Sequence, residues 1–144
     1  MKSRSTLNKI KDYLELGKIK VMIPVSLTGF TGFFIYNPSV SSKILFVSLG
    51  ILFLGISASA LNQIQEVDRD SKMERTHNRP LPSQRITLQQ ALIFSLSNLI
   101  AGTVLIYSAG NLTAALIGLI TIGWYNGIYT YATVSYTHLT LPTN

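Results

Sequence analysis

From Ile86 to Asn144 the sequence contains no Lys, Arg, Asp or Glu. In a typical soluble domain about one residue in four is charged. A stretch this long with no charge is accommodated where the solvent is hydrocarbon, and poorly where it is water. Over the whole chain the charged fraction is 12%, half the usual value of about 25%. There is no cysteine, which excludes disulfides and thiolate metal sites.

Four apolar runs stand out, at about residues 16–36, 44–64, 88–107 and 112–131. Each is close to the roughly 20 residues that cross a bilayer core. The expected fold is therefore all-α, a multi-pass transmembrane bundle of about four helices. The runs are rich in Gly, Ser, Thr and Asn, a composition suited to helices packed on helices, because small residues let backbones approach and polar ones bond across the interface. Gly29, Gly32, Ser57 and Ala60 are the candidates for such packing. The mixed-charge lead and the absence of a small-residue cleavage pattern argue against a secretory signal peptide.

The net charge of +6 is unevenly placed. Lys2, Arg4, Lys9, Lys11, Lys18 and Lys20 crowd the lead, and Arg69, Lys72, Arg75, Arg79 and Arg85 crowd the 65–87 loop. The two other connections carry one Lys between them. Basic segments flanking apolar runs predict a protein of the cell inner (plasma) membrane, with the N-terminus and the long loop cytoplasmic. The same placement speaks against nucleic acid, which asks for a basic polar face. The bilayer is the expected partner, and no protein partner is indicated. Residues 1–15 form a cytoplasmic lead, with Asn8–Leu16 expected as an amphipathic helix on the membrane surface. Its Leu7, Ile10, Tyr13 and Leu14 would face lipid or protein, and Lys9, Lys11, Asp12 and Glu15 would face water. Beyond Tyr131 the periodicity is lost. Residues 132–144 read as a non-native tail resembling translated adapter sequence, in which His138 would carry no meaning.

The chemistry is concentrated in the loop. Asn62, Glu66 and Asp70 recur every fourth residue, so a helix continuing past the second run stacks them along one stripe. Three oxygen-bearing side chains at the membrane surface form a plausible Mg2+ edge, since this ion takes one or two carboxylates together with phosphate oxygens and water. Arg69, Lys72, Arg75 and Arg79 follow at once and supply guanidinium forks and a point charge suited to phosphate. Carboxylates, a metal and arginines together make a diphosphate site. Spacing alone equally allows a solvated loop whose opposite charges pair along a helix. The Arg79-Pro80-Leu81-Pro82 run ends any helix. His77 has no partner at a metal-ligand spacing and reads as a surface residue.

At these residues the sequence resembles the UbiA-type intramembrane prenyltransferases. The family's first aspartate-rich motif, an Asn followed at four-residue steps by two acids, matches Asn62, Glu66 and Asp70, with Glu66 standing where Asp is usual. Met73-Glu74-Arg75-Thr76-His77-Asn78-Arg79-Pro80-Leu81-Pro82 resembles the family's loop. Its Met-Glu-Arg-Thr wording, together with Trp124-Tyr125-Asn126-Gly127-Ile128-Tyr129-Thr130-Tyr131, is similar to the branch that farnesylates protoheme IX. The resemblance implies transfer of a farnesyl group from farnesyl diphosphate to heme B, making heme O. It also implies Mg2+ held by Asn62, Glu66 and Asp70, and diphosphate contacts from Arg69, Lys72, Arg75 and Arg79. Tyr125, Asn126 and Tyr129 become pocket candidates, with helix packing as their other reading. Family members have about nine transmembrane helices and a second aspartate-rich motif, so this chain is expected to be an N-terminal part, inactive by itself. Two alternatives stand beside this reading. One is a prenyltransferase for an aromatic acid such as 4-hydroxybenzoate, which shares much of the loop. The other is a non-catalytic membrane helper or channel subunit that uses the loop for docking. A channel would ask for charges within its spans, and these spans offer Asn, Gln and hydroxyls.

Overall fold

The computed structural model describes residues 6–38, 41–109 and 112–129, with residues 128 and 129 by backbone alone, and every element in them is helical. In chain order these are α1 (Thr6–Leu16), α2 (Ile19–Tyr36), α3 (Ser42–Gln65), α4 (Val67–Lys72), α5 (Leu88–Ser108) and α6 (Leu112–Trp124), with a π-helical turn over Tyr125–Tyr129. By length and composition α2, α3 and α5 can each cross a membrane, and α6 with the turn behind it is apolar but shorter. The expected fourth run, to residue 131, is described as far as Tyr129; Tyr131, His138 and the 132–144 tail lie outside the described residues.

Local chemistry sets the boundaries. The Ser41 hydroxyl accepts from the Lys43 amide at 3.3 Å and opens α3. Thr87 and Gln90 cap α5 reciprocally, at 3.2 and 3.1 Å, and so satisfy two amide donors that have no partner within the helix. Between α1 and α2 the chain turns at Gly17-Lys18, with Lys18 in the left-handed region at φ 46°.

α3 is the central helix and packs against α2, α5 and α6. Its contact with α5 is a backbone crossing. A Cβ added to Gly102 would lie 2.8 Å from the Gly50 carbonyl oxygen, and one added to Gly50 would lie 3.0 Å from that of Gly102. Nearby, the buried Ser95 hydroxyl donates to the Ser57 carbonyl at 3.1 Å, and its oxygen lies 3.0 Å from the Ser57 hydroxyl. Small residues and interhelical hydroxyls do here what the hydrophobic effect cannot do in lipid. Leu54, Ile106 and Ala115 form the apolar core at this level. On the other side, Gly29 admits Ile51, and the Ser26 hydroxyl donates to the Ser48 carbonyl at 2.7 Å. Gly29, Ser57 and Ala60 thus lie at packed positions. Gly32 does not, because a Cβ there would meet nothing within 4 Å.

A second core lies beneath the loop. Leu16, Ala60, Leu81, Ile86 and Ala91 are buried together, flanked by Tyr13, Ile64, Val67 and Phe94. It joins the end of α1, the end of α3, the loop and the start of α5. On α1 the outward apolar row is Leu7, Ile10 and Leu14. Asp12, expected to face water, is instead 4% exposed, because Arg85 returns from the far end of the loop to pair with it.

Candidate functional site

The acidic stripe forms where α3 ends. Glu66 takes φ −98° and ψ 5°, which interrupts the helix for one residue. The hydrogen bonding nevertheless keeps its four-residue step, with Glu66 N–H donating to Asn62 C=O at 3.0 Å and Asp70 N–H to Glu66 C=O at 2.8 Å. Asn62, Glu66 and Asp70 therefore remain on consecutive turns, although the single continuous helix expected from spacing is broken into α3 and α4.

The side chains divide into two groups. Asn62 Nδ2 donates to Glu66 Oε2 at 3.0 Å, and Arg69 Nη1 stands 4.0 Å from Glu66 Oε1. Asp70 turns into the loop, where one of its oxygens accepts from Arg79 Nη1 at 2.6 Å and its carboxylate is nearly fully buried. The Thr76 hydroxyl donates to the Asp70 carbonyl at 3.1 Å and closes the loop over the pair. Of the four cations that follow the stripe, Arg79 pairs closely with an acid of it and Arg69 stands at the limit of contact. Lys72 and Arg75 are exposed and, among the described residues, make no ion pair.

The donor chemistry suits Mg2+. Glu66 and Asp70 supply carboxylate oxygens and Asn62 an amide oxygen, and all three are hard ligands. Among the described residues no three His, Cys, Asp or Glu side chains gather as a metal site. Two carboxylates are what Mg2+ commonly takes from protein when substrate phosphates and water complete its shell.

An apolar groove of about 410 Å³ runs between α2, α3 and α6, lined by Val25, Leu54, Ala58, Ile117, Thr121 and Tyr125 among others. Leu54 and Ala58 lie four and eight residues before Asn62, so the groove follows the α3 face that continues into the acidic stripe. On the opposing helix the lining ends at Tyr125, the first residue of the π-helical turn. Such turns often mark functional positions. Here Gln65 Nε2 donates to the Asn126 carbonyl at 2.9 Å and ties the turn to the end of α3. Asn126 is buried, its amide donates to the Ile122 carbonyl at 3.2 Å, and its Oδ1 has no partner among the described residues. The Tyr129 side chain lies outside the described residues.

Sequence reasoning missed Arg85, Asp12 and Gln65. Arg85 reads as one more loop cation, and nothing local shows that its partners stand on α1. The Gln65 contact crosses to a helix 61 residues away.

The UbiA prenyltransferase family profile matches residues 25–141. Protoheme IX farnesyltransferase of Nitratidesulfovibrio vulgaris is 34% identical over 84% of this chain and 42% of its own length. The protein of that name from Methylobacterium radiotolerans is 37% identical over 83% of this chain and 38% of its own. The chain thus spans about two fifths of the length of these curated relatives. A solved structure described in connection with digeranylgeranylglyceryl phosphate synthase in membranes superposes with a TM-score of 0.76 and 31% identity, over 85% of this chain and 44% of that one. With the family profile covering most of its length and this helical arrangement shared, the chain belongs to the UbiA prenyltransferase family.

Proposed function

We propose that this chain supplies the diphosphate-binding half of a prenyltransferase that moves a farnesyl group from farnesyl diphosphate to protoheme IX (heme B), giving heme O. The observation that carries the proposal is that the α3 face lining the apolar groove leads, through Asn62, into the Glu66 and Asp70 turns that follow it. Such a surface holds an isoprenoid along its lipid-like length and receives the charged end at the membrane boundary. Arg79 and Arg75, with Arg69 and Lys72 at the rim, place positive charge where negative charge develops on the departing diphosphate oxygens. Asn62, Glu66 and Asp70 would hold Mg2+, which when bound would neutralise diphosphate charge and favour its departure. The lining from Val25 to Tyr125 keeps water away from the allylic carbon, where it would compete with the acceptor. The protein would sit in the cell inner (plasma) membrane with the loop on the cytoplasmic side.

The acceptor is read from the relatives named for protoheme, because one fold serves several acceptors and the fold alone does not choose among them. The test supplies the protein in nanodiscs with farnesyl thiodiphosphate, an unreactive analogue, with and without Mg2+. Mg2+-dependent binding, weakened at least tenfold in Glu66→Gln, is expected. Equal affinity in excess chelator would remove the metal from the proposal. A parallel incubation of the whole prenyltransferase containing this half with farnesyl diphosphate offers heme B or 4-hydroxybenzoate, and the acceptor that gains a farnesyl group identifies the reaction.

A further inference from the structure

We propose that Arg85 is a positioning residue that holds Arg79 in register with the acidic stripe and makes α1 part of the support of the site; this rests on the diphosphate reading above. Arg85 comes from the end of the loop and is only partly exposed, at 25% of its side chain. Its Nη1 pairs with the buried Asp12 of α1, and its Nη2 with Glu15 at 3.1 Å. The same guanidinium reaches the backbone around Arg79 from two directions. Nη2 donates to the Asn78 carbonyl at 2.6 Å, and Nε donates to Ser83 Oγ at 3.0 Å. The Ser83 hydroxyl in turn donates to the Arg79 carbonyl at 2.6 Å. Both carbonyls that bracket the Arg79 Cα are therefore held, one directly and one through Ser83, by a side chain anchored on α1.

A loop of turns has no regular hydrogen-bond ladder to keep its shape, so a long cationic side chain such as Arg79 inherits whatever freedom its backbone has. Asp70 alone would let Arg79 pivot about a single contact. Fixing the two flanking peptides removes that freedom. The planar five-donor fork of arginine is required, because lysine cannot meet two carboxylates, a carbonyl and a hydroxyl at once. The second tie of α1, from Gln63 Nε2 and Ser59 Oγ to the Leu16 carbonyl at 2.7 and 3.3 Å, keeps Asp12 in place against α3. A helix lying on the membrane surface is thereby coupled to the geometry of the phosphate-facing arginine.

The experiment separates positioning from simple stapling. Amide hydrogen exchange in nanodiscs is measured for the wild type, Arg85→Met, Arg85→Lys and the charge swap Asp12→Arg with Arg85→Asp. The swap rebuilds an ion pair between α1 and the loop but offers no donor to the Asn78 carbonyl. Arg85→Met should speed exchange at both α1 and residues 79–83 by about tenfold or more. The swap should restore protection of α1 and leave residues 79–83 fast. Arg85→Lys, which keeps the charge, stands in where the swap does not fold, and should likewise protect α1 better than the loop. Farnesyl thiodiphosphate should bind roughly tenfold more weakly to every variant with a fast loop. Unchanged loop exchange in Arg85→Met, or a swap that restores both loop protection and affinity, overturns the proposal. A fast loop in variants of a protein whose wild type binds no analogue supports the positioning of Arg79 and rejects the diphosphate reading instead.

Discussion

Asp70 combines a candidate metal-ligand position with a buried ion pair. Its spacing from Asn62 and Glu66 makes it a metal-ligand candidate, yet its carboxylate is 4% exposed and spends one oxygen on Arg79. Removing one partner of such a pair leaves an uncompensated charge near the interior. Asp70→Asn is therefore expected to lower stability by about 2 kcal/mol, less than for a fully buried pair because Arg79 keeps some solvent. Thermal unfolding in detergent measures this, and an unchanged midpoint would show that the ion pair contributes nothing. Glu66→Gln, at a partly exposed position with its nearest cation 4.0 Å away, reports on metal binding more cleanly. Gln84 gives a second test. It is exposed and sits at φ 56°, a region where a side chain costs on the order of 1 kcal/mol. Gln84→Gly should raise the midpoint by a few degrees, since relief of that strain exceeds the entropy glycine adds to the unfolded chain. A lowered midpoint would mean that the Gln84 side chain makes contacts worth more than the strain.

Among the elements, the crossing of α3 and α5 is the least tolerant of change. A methyl group on Gly102 would approach the Gly50 carbonyl oxygen at 2.8 Å and Leu54 Cδ2 at 2.9 Å. The leucine can turn aside, but the backbone cannot, so Gly102→Ala should cost roughly 1–3 kcal/mol through overpacking. Ser95→Ala should cost less, on the order of 1 kcal/mol, as interhelical hydroxyl bonds in membranes are individually modest. Steric trapping or unfolding in mixed detergent ranks the two, and a milder effect for Gly102→Ala would show that the helices separate easily. Gly32→Ala provides the control, with open space around its Cβ and little change expected.

For the whole molecule, the basic lead and loop predict one orientation in the bilayer. α5 has 21 residues, so its ends stand about 30 Å apart, enough to place them on opposite sides of a hydrocarbon core. In intact cells a cysteine at Ser71 should resist a membrane-impermeant thiol reagent, and one at Ser108 should react. The reverse pattern would invert the topology and place the proposed diphosphate site outside. The apolar groove also belongs to this scale. It needs α2, α3 and α6 at once, and its volume of about 410 Å³ depends on how α6 is held against α3. Gln65 and the π-helical turn provide one such tie.

The membrane class, the helical periods and the four-residue spacing of the acidic stripe were legible in the sequence because each depends on residues taken one at a time or four apart. Transfer into hydrocarbon is a property of a side chain, and an i,i+4 stripe is a property of one helix. The resemblance to UbiA enzymes at Asn62, Glu66, Asp70 and the Arg79-Pro80 loop rested on that same local wording. Pairings across the fold were not legible. Asp12 and Arg85 are 73 residues apart, and with eleven cations and six acids on offer in the lead and loop, local patterning favours many partners equally. Which pair forms was decided by the packing of Leu16, Ala60, Leu81, Ile86 and Ala91, which brings α1 under the loop. The break at Glu66, the burial of Asp70 and the Gly50–Gly102 crossing have the same origin. Each results from elements competing for one space, and that competition exists only once the helices are packed together.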